Sequence, residues 1–239
     1  MTKQTRLSAE QRRNSIIAAA LPLFSYQGFN GTTTKQIAEK AGVSEALLYR
    51  HFPSKEHLFS EIQGGLCDQT HRFSEIIQSL EPSTSTLVNS VHFLLSVVFI
   101  GEQDAQLAET DPHLYIPRLI TQSLLEDGTF ARTFWDTHIE LWTEKWEACV
   151  HASVAAGDMV DPGVDPVLRW WFTHHLAMSL RLVHLPPKPA VDYGFERAEI
   201  LDQAARFSLR GFGLKDEAIK AHYNPAMLRF FTETLFGSA

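Results

Sequence analysis

The sequence predicts an all-α protein in which a three-helix N-terminal domain is followed by a larger helical domain. Apolar residues recur at helical spacing along most of the chain, and no segment alternates apolar and polar residues as a half-buried strand would. Short breaks rich in Gly, Pro, Ser and Asp separate the helical patterns. We place the domain boundary after residue 54, so that residues 1–54 form the first domain and residues 55–239 the second.

The first helix is predicted from Ser8, a suitable N-cap, to Gly28, a residue type that often ends helices. Pro22 falls inside this pattern, where we expect it to kink the helix or loosen its last turn. After the second and third helices, the pattern predicts helices near residues 55–80, 85–100, 112–127, 129–156, 166–184, 195–210 and 225–237.

Charge is distributed unevenly along the 239 residues, of which 44% are apolar and 21% charged. Residues 1–60 contain eight Lys and Arg and four Glu, which gives a net charge of +4. Because the whole chain has a net charge of −7, the remaining residues carry −11. This distribution indicates that only the N-terminal part meets a polyanion, although four net charges could also be chance clustering of solvated side chains.

The two cysteines, Cys67 and Cys149, lie far apart and resemble buried structural thiols more than a disulfide framework or a metal site. The N-terminus has no apolar signal core, and the longest apolar stretch is too short and too interrupted for a bilayer. We therefore expect a soluble cytoplasmic protein that does not span a membrane.

The stretch TTTKQIAEKAGVSEALLYRHF, residues 32–52, has the pattern of a helix-turn-helix. Thr33 can cap one short helix, Gly42 can form the tight turn, and Ser44 can cap a second helix. In this motif the second helix enters the major groove of DNA. Hydroxyl groups, helix-terminal N–H groups and cations on the exposed side suit phosphate oxygens and base edges.

These residues resemble the DNA-binding domain of the TetR family of bacterial transcription regulators. The shared pattern is a Thr-rich helix start, Ile-Ala, Ala-Gly-Val-Ser, a Tyr two residues before His-Phe, and then Lys-Glu. It covers about residues 10–62, whereas the rest of the chain is similar only in its helical character. The resemblance implies a homodimer that binds a near-palindromic operator on double-stranded DNA, and a small-molecule effector that releases it.

The resemblance also implies roles for individual residues. Phosphate contacts are expected at Thr34, Tyr49, His51 and Lys55, although a tyrosine at position 49 could also belong to the core. Thr33, at the start of the same helix as Thr34, is also expected to face DNA. Contacts with bases or nearby backbone are expected at Lys35, Ser44, Glu45, Ala46 and Arg50, whereas Leu47 could either touch a thymine methyl or simply pack. Glu45 is unusual here, because a carboxylate accepts a hydrogen bond from cytosine but is repelled by phosphate.

The C-terminal domain is expected to hold the effector pocket and the dimer interface. Aromatic residues of the helix near 129–156 share one face, and a few histidines could provide polar contacts. The predicted pocket residues are His92, Phe93, Val97, Trp135, His138, Trp142, Trp146 and His174, and a plain hydrophobic core is the alternative. A four-helix bundle, two late helices from each chain, is the expected dimer interface, with Trp170, Trp171, Met178, Ile200, Ala204 and Phe207 as its residues.

Two other classes of function are alternatives to a ligand-responsive repressor. An enzyme is disfavoured because the sequence shows no recognisable Ser/His/Asp spacing, no phosphate-binding glycine loop and no HExxH, so we expect no catalytic residues, no metal and no cofactor. A nucleoid-type binder without sequence preference would depend steeply on salt. The modest charge of the N-terminal part and the acidic remainder argue against it.

Overall fold

The computed structural model describes residues 8–100, 115–186 and 188–228, with the backbone alone at 67–74, 76, 100 and 137–141. Within these ranges the chain is helical and forms no strand, which confirms the all-α prediction. The helices are α1 Ala9–Gly31, α2 Thr34–Ala41, α3 Glu45–His51, α4 Lys55–Ser79, α5 Thr84–Ile100, α6 Ile116–Leu125, α7 Thr129–Ala155, α8 Pro166–Val183, α9 Arg197–Phe212 and α10 Asp216–His222.

The chain divides into two compact units. The first, called the head unit here, contains Met1–His71 and Asp104–Thr137, and the second, the body unit, contains Arg72–Gln103 and His138–Ala239. The unit that holds the helix-turn-helix therefore extends beyond the predicted boundary at residue 54 and includes the first part of α4 and all of α6. Both α4 and α7 begin in the head unit and end in the body unit.

The head unit is built on α1, which packs against α2 and α6. Apolar side chains from its helices are fully buried in one core, and each such side chain stabilises the fold by about 1.5–3 kcal/mol relative to exposure. They include Ile16, Phe24, Ile37, Leu48, Phe52 and Leu58. Phe59 extends this core, with its ring 4.8 Å from Phe24 and 6.4 Å from Phe130.

The irregularity in α1 lies at Gly28 rather than at Pro22. Pro22 sits within the helix, whereas Gly28 has φ 72° and ψ 173°, which interrupts the helical backbone before its last turn. Only glycine adopts a positive φ without steric cost. The predicted end of the first helical segment at Gly28 therefore coincides with this break, after which the chain continues to Gly31.

In the body unit, α5 is the central helix and packs against α8, α9 and α10. Its apolar residues are buried on several sides, which explains why its sequence is apolar almost throughout. Leu87, Val88, Val91 and Leu95 are among its fully buried residues. No helix in the described ranges has both the length and the apolar character that crossing a bilayer would require.

Buried cations in the body unit cap the ends of helices. Lys145 is 8% exposed, and its ammonium donates to the carbonyl oxygens of Gln78, at 2.9 Å, and Leu80. Arg169, also buried, donates to the carbonyl oxygen of Phe212 at 3.0 Å and to Asp161 at 3.0 Å. These carbonyl groups end α4 and α9, where a helix leaves acceptors without internal donors.

Two features near the C-terminus differ from the sequence predictions. Helix α9 continues through Gly211 to Phe212, and its C-cap is Gly213, whose φ of 98° is left-handed. Helix α10 was not predicted, because it has only seven residues and no side-chain N-cap marks its start. The predicted last helix near 225–237 lies mostly outside the described residues.

Candidate DNA-binding surface and effector region

Helix α2 begins with a complete capping box. The hydroxyl of Thr33 accepts a hydrogen bond from the backbone N–H of Gln36 at 3.2 Å, and the side chain of Gln36 accepts from the backbone N–H of Thr33 at 2.8 Å. These bonds satisfy two donors that the helix itself cannot pair. They fix the start of α2, and with it the positions of Thr34 and Lys35.

The turn and the start of α3 are equally well defined. Gly42 adopts the left-handed conformation, with φ 64° and ψ 36°, and the N–H of Val43 donates to the carbonyl of Ala38 at 2.9 Å. Ser44 then caps α3 by accepting from the N–H of Leu47 at 3.2 Å. The buried Leu48 anchors α3 to the head core, so the helix presents its opposite face to solvent.

The residues predicted to contact DNA lie together on this exposed part of the head unit. Each is at least partly accessible, and Tyr49 is 46% exposed despite its aromatic ring. A core role for Tyr49, the alternative left open by the sequence, is therefore excluded. The predicted DNA-contact residues are Thr33, Thr34 and Lys35 at the start of α2, Ser44, Glu45, Ala46, Leu47, Tyr49, Arg50 and His51 at the start of and along α3, and Lys55 at the start of α4.

Three of these side chains form a hydrogen-bonded chain between α2 and α3. The hydroxyl of Thr34 donates to Oε2 of Glu45 at 3.1 Å, and the hydroxyl of Tyr49 donates to Oγ1 of Thr34 at 3.3 Å. All three residues are on the surface. The sequence did not predict this arrangement, because Thr34 and Tyr49 are fifteen residues apart.

Lys55 makes contacts inside the head unit that the sequence did not predict. Its ammonium donates to the carbonyl oxygens of Phe29 and Thr32, at 2.9 and 3.0 Å, and lies 4.2 Å from the centre of the Phe29 ring. The charge thus caps the C-terminal end of α1. The structure gives Lys55 a role in joining α4 to α1.

An aromatic cluster in the body unit combines residues from the predicted pocket and the predicted interface. The ring of Trp170 stacks on Trp146 at 4.4 Å and on Trp142 at 6.0 Å, and Trp146 also contacts Phe212 at 5.3 Å. We call Trp142, Trp146, Trp170 and Phe212 the tryptophan cluster. Trp170 was predicted for the dimer interface, but it is 7% exposed and packs inside its own chain.

A crevice beside the tryptophan cluster is lined by α7 and α8. Its empty volume, which includes the open mouth, is about 210 Å³, below the roughly 300–1,000 Å³ of typical small-molecule pockets. The indole Nε1 atoms of Trp146 and Trp170 are buried and have no hydrogen-bond acceptor among the described residues. The lining residues are Thr143, Trp146, Glu147, Val150, Pro166, Val167 and Trp170.

His174 lies one turn after Trp170 on α8. Its ring lies 6.1 Å from Trp170 and 5.7 Å from Trp171. Burial lowers the pKa of His174 to about 4, and the neighbouring charge of His175 contributes in the same direction. The imidazole is therefore neutral at pH 7.

The remaining predicted pocket residues are dispersed. His92 is buried, and its Nδ1 lies 3.3 Å from the hydroxyl of Tyr223, which donates to Asp202 at 3.0 Å. Phe93 and Val97 follow on α5, and Trp135 belongs to the head unit. The side chain of His138 lies outside the described residues.

The predicted interface residues also separate into two groups. Trp170, Met178 and Ala204 are buried within the chain, so their side chains are not available to a partner. Trp171 and Ile200 are partly exposed, and Phe207 is 70% exposed. Leu182, which the sequence also placed on this helix, is exposed, and the exposed apolar side chains of Leu168 and Phe172 were not predicted.

A Ser-His-Asp arrangement that the sequence did not reveal joins α5 to α10. Oγ of Ser85 lies 2.9 Å from Nδ1 of His222, and Nε2 of His222 lies 3.6 Å from Asp158. Asp158 also accepts from the hydroxyl of Thr84 at 2.7 Å. This network holds the start of α5 and the end of α10 to the turn after α7.

No group of three or more His, Cys, Asp or Glu that could hold a metal ion occurs in the part of the chain that the structure describes.

The described geometry defines a helix-turn-helix protein with a separate helical unit. A family model for bacterial regulatory proteins of the tetR family matches residues 16–62, which include α2 and α3. The N-terminal domain is a TetR-family DNA-binding domain, and the family resemblance seen in the sequence is confirmed.

Similar proteins agree with this assignment. The nucleoid occlusion factor SlmA of Mannheimia succiniciproducens is 36% identical over 98 residues, which cover 41% of this chain and 44% of that protein. The transcriptional regulator AcrR of Shigella flexneri is 44% identical over 62 residues, covering 26% of this chain and 29% of that protein. The chain thus spans less than half the length of these two relatives.

The fold is shared more widely than the sequence. A crystal structure of a tetR-family regulatory protein from Rhodococcus RHA1 has a TM-score of 0.62, with 16% identity, and covers 88% of this chain and 100% of that chain. At this identity the similarity concerns the fold alone.

Proposed function

We propose that this protein is a ligand-responsive transcriptional repressor that binds a near-palindromic operator as a homodimer. The observation that carries the proposal is the set of exposed polar side chains on α3 and at the start of α2, on backbone fixed by two N-caps. Because α3 is the second helix of the motif, it is the element that enters the major groove.

Two kinds of contact are proposed for this surface. Thr33, Thr34 and Tyr49 have hydroxyl groups that suit phosphate oxygens, and His51 adds a ring N–H donor. The other residues are proposed to face bases or adjacent backbone, where small and planar groups fit the groove. These are Lys35, Ser44, Glu45, Ala46, Leu47 and Arg50. At Lys55 two of the three ammonium N–H groups are donated to Phe29 and Thr32, so we propose a single phosphate contact there.

The dimer interface is proposed on the exposed apolar face of α8 together with α9. Leu168, Phe172 and Leu182 fall at helical spacing on one face of α8 and are 47%, 59% and 43% exposed. Phe207 on α9 is 70% exposed, and α8 and α9 pack against each other. Large apolar side chains exposed together favour association, and a two-fold axis would bury each face against its own copy.

The effector is proposed to bind at the crevice beside the tryptophan cluster. Its lining is mostly apolar, and the buried indole N–H groups of Trp146 and Trp170 provide donors. This combination suits a small planar or aromatic molecule that carries a carbonyl or carboxylate oxygen. Because the crevice is small, α7 and α8 would have to move apart for a larger ligand.

Release of DNA would then be a population shift. An effector changes operator affinity only if it binds the DNA-competent and DNA-incompetent conformations with different affinities. An effector titration at fixed operator tests this point, and equal effector affinity with and without operator would exclude the regulatory coupling.

The experiment that tests DNA recognition is selection from a random duplex library with the purified protein, followed by sequencing. The proposal predicts enrichment of a two-fold symmetric motif with half-sites about one helical turn apart. Selection without an enriched motif, in protein shown to be folded and free of bound small molecules, would contradict it.

A second candidate function is suggested by the relatives named nucleoid occlusion factors. The SlmA similarity extends over 98 residues, about twice the length of the family-model match. A nucleoid-type binder without sequence preference would occupy many chromosomal sites rather than a few promoters. Mapping bound sites in cells distinguishes the two, since a repressor predicts a small number of sites upstream of genes.

A further inference from the structure

The hydroxyl groups of Thr34 and Tyr49 have their hydrogens committed within the protein. A carboxylate only accepts hydrogen bonds, so the Thr34 hydrogen points to Glu45, and the oxygen of Thr34 then accepts the hydrogen of Tyr49. Each hydroxyl has a single hydrogen to donate. In this arrangement neither can donate to a phosphate oxygen.

The backbone holds the three side chains in this relationship. Thr34 is the first residue of α2 and Glu45 the first residue of α3, and both helices are fixed by N-caps. Glu45 and Tyr49 are four residues apart on α3, so they lie on the same face of the helix. The chain of hydrogen bonds therefore spans the surface that is proposed to face DNA.

We propose that Glu45 is a specificity-determining residue that competes with DNA phosphates for the hydroxyl groups of Thr34 and Tyr49 and is released by a cytosine in the operator. This inference rests on the proposed DNA-binding function. On any DNA, a phosphate contact by Thr34 requires its hydroxyl to leave Glu45. The freed carboxylate would then stand near phosphates without a donor, which is unfavourable.

The base opposite Glu45 determines whether the free-energy cost of the unpaired carboxylate is offset. Cytosine presents its N4 amino group in the major groove, and a carboxylate can accept from it. At a half-site with cytosine opposite Glu45, the carboxylate exchanges the Thr34 hydroxyl for the base donor. At other sequences the exchange leaves the carboxylate unsatisfied, so Glu45 weakens binding to incorrect sites more than to the operator.

The test compares variants on two duplexes of equal length, the selected operator and a scrambled version, by fluorescence anisotropy. Glu45→Gln removes the charge, and Glu45→Asp keeps the charge but is shorter by one methylene, so that its carboxylate no longer reaches Thr34. Glu39→Gln, at another exposed position on α2, is the control for net charge. Thermal unfolding followed by circular dichroism verifies that each variant is folded.

We expect both Glu45 variants to bind the scrambled duplex about three- to tenfold more tightly than the wild type, the effect of one surface hydrogen bond. For Glu45→Gln this gain should exceed the gain from Glu39→Gln. Discrimination between the duplexes should decrease, and library selection with Glu45→Gln should lose a cytosine preference at one position in each half-site.

Two results would overturn the inference. If Glu45→Asp behaves as the wild type and Glu45→Gln behaves as Glu39→Gln, only net charge matters. If the selected motif of Glu45→Gln is unchanged, Glu45 does not read a base. In both cases the wild type still discriminates between the duplexes, whereas a wild type that binds both equally would contradict the proposed function itself.

Discussion

The ammonium of Lys55 lies 4.2 Å from the ring centre of Phe29 and donates a 2.9 Å hydrogen bond to the carbonyl oxygen of the same residue. The Lys55 side chain, at the start of α4, thereby caps the C-terminal end of α1. The position that the family pattern associates with phosphate binding thus has an internal role in this chain.

Replacement of Lys55 by Met is expected to destabilise the protein by about 1–3 kcal/mol, because two carbonyl oxygens lose a charged donor. Chemical denaturation measures this change. Binding to the operator as a function of salt provides the second measurement. An unchanged salt slope supports the capping role, whereas a slope reduced by about 0.9 would show that Lys55 neutralises a phosphate.

Two glycines with positive φ should respond differently to replacement by Ala. A Cβ atom at Gly42 would meet no atom within 4 Å, so Gly42→Ala should cost only the left-handed conformation, about 1 kcal/mol. At Gly213 a Cβ atom would lie 2.1 Å from the carbonyl oxygen of Val160, and that carbonyl belongs to the backbone. We expect Gly213→Ala to cost at least about 2 kcal/mol more, measured by denaturant unfolding. Equal costs would contradict the close approach.

Stability should fall at acid pH because of His174. Its folded-state pKa of about 4 lies below the usual 6.5, so the unfolded chain binds the proton more readily. The stability is complete above pH 6.5 and decreases as the pH falls toward 4. From the two pKa values, the loss attributable to His174 is about 2 kcal/mol at pH 5.

The variant His174→Gln provides the comparison for this pH effect. Its unfolding free energy should change less than that of the wild type between pH 7.5 and pH 5. Identical pH dependence in the two proteins would show that His174 does not have the depressed pKa.

The proposed dimer interface predicts that a charge on the exposed face of α8 separates the two chains. Phe172→Glu should convert the protein to a monomer in analytical ultracentrifugation, because it places a carboxylate in a buried apolar contact. Leu125→Glu is the control, since Leu125 is also exposed but lies on α6. Dimers that resist Phe172→Glu, or that dissociate equally with Leu125→Glu, would place the interface elsewhere.

The sequence predicted the helix-turn-helix in detail because its determinants are local. Thr33, Gly42 and Ser44 act on backbone groups within a few residues, and such short-range geometry follows from residue type. The same reasoning located the boundaries of most longer helices. It missed α10, which is as short as α3 but lacks the side-chain N-cap that Ser44 provides for α3.

Contacts between distant residues were not predictable in this way. Trp170 lies on an apolar stripe, but the pattern does not say whether the stripe packs on its own chain or on a partner, and the structure stacks it on Trp146. The C-cap of α9 is Gly213 rather than Gly211, and the backbone of Val160, more than fifty residues earlier, packs closely against Gly213. The internal hydrogen bonds of Lys55 were likewise not predictable, because the sequence does not give the positions of the α1 carbonyl groups that accept them.

The measurement that tests the account most directly is the titration of the wild-type protein with the selected duplex and with its scrambled version under identical salt. If the exposed face of α3 reads bases, the selected duplex should bind at least about a thousandfold more tightly, the usual margin for specific recognition. Equal affinity for the two duplexes would mean that the protein binds DNA only as a polyanion, and would contradict sequence recognition by α3.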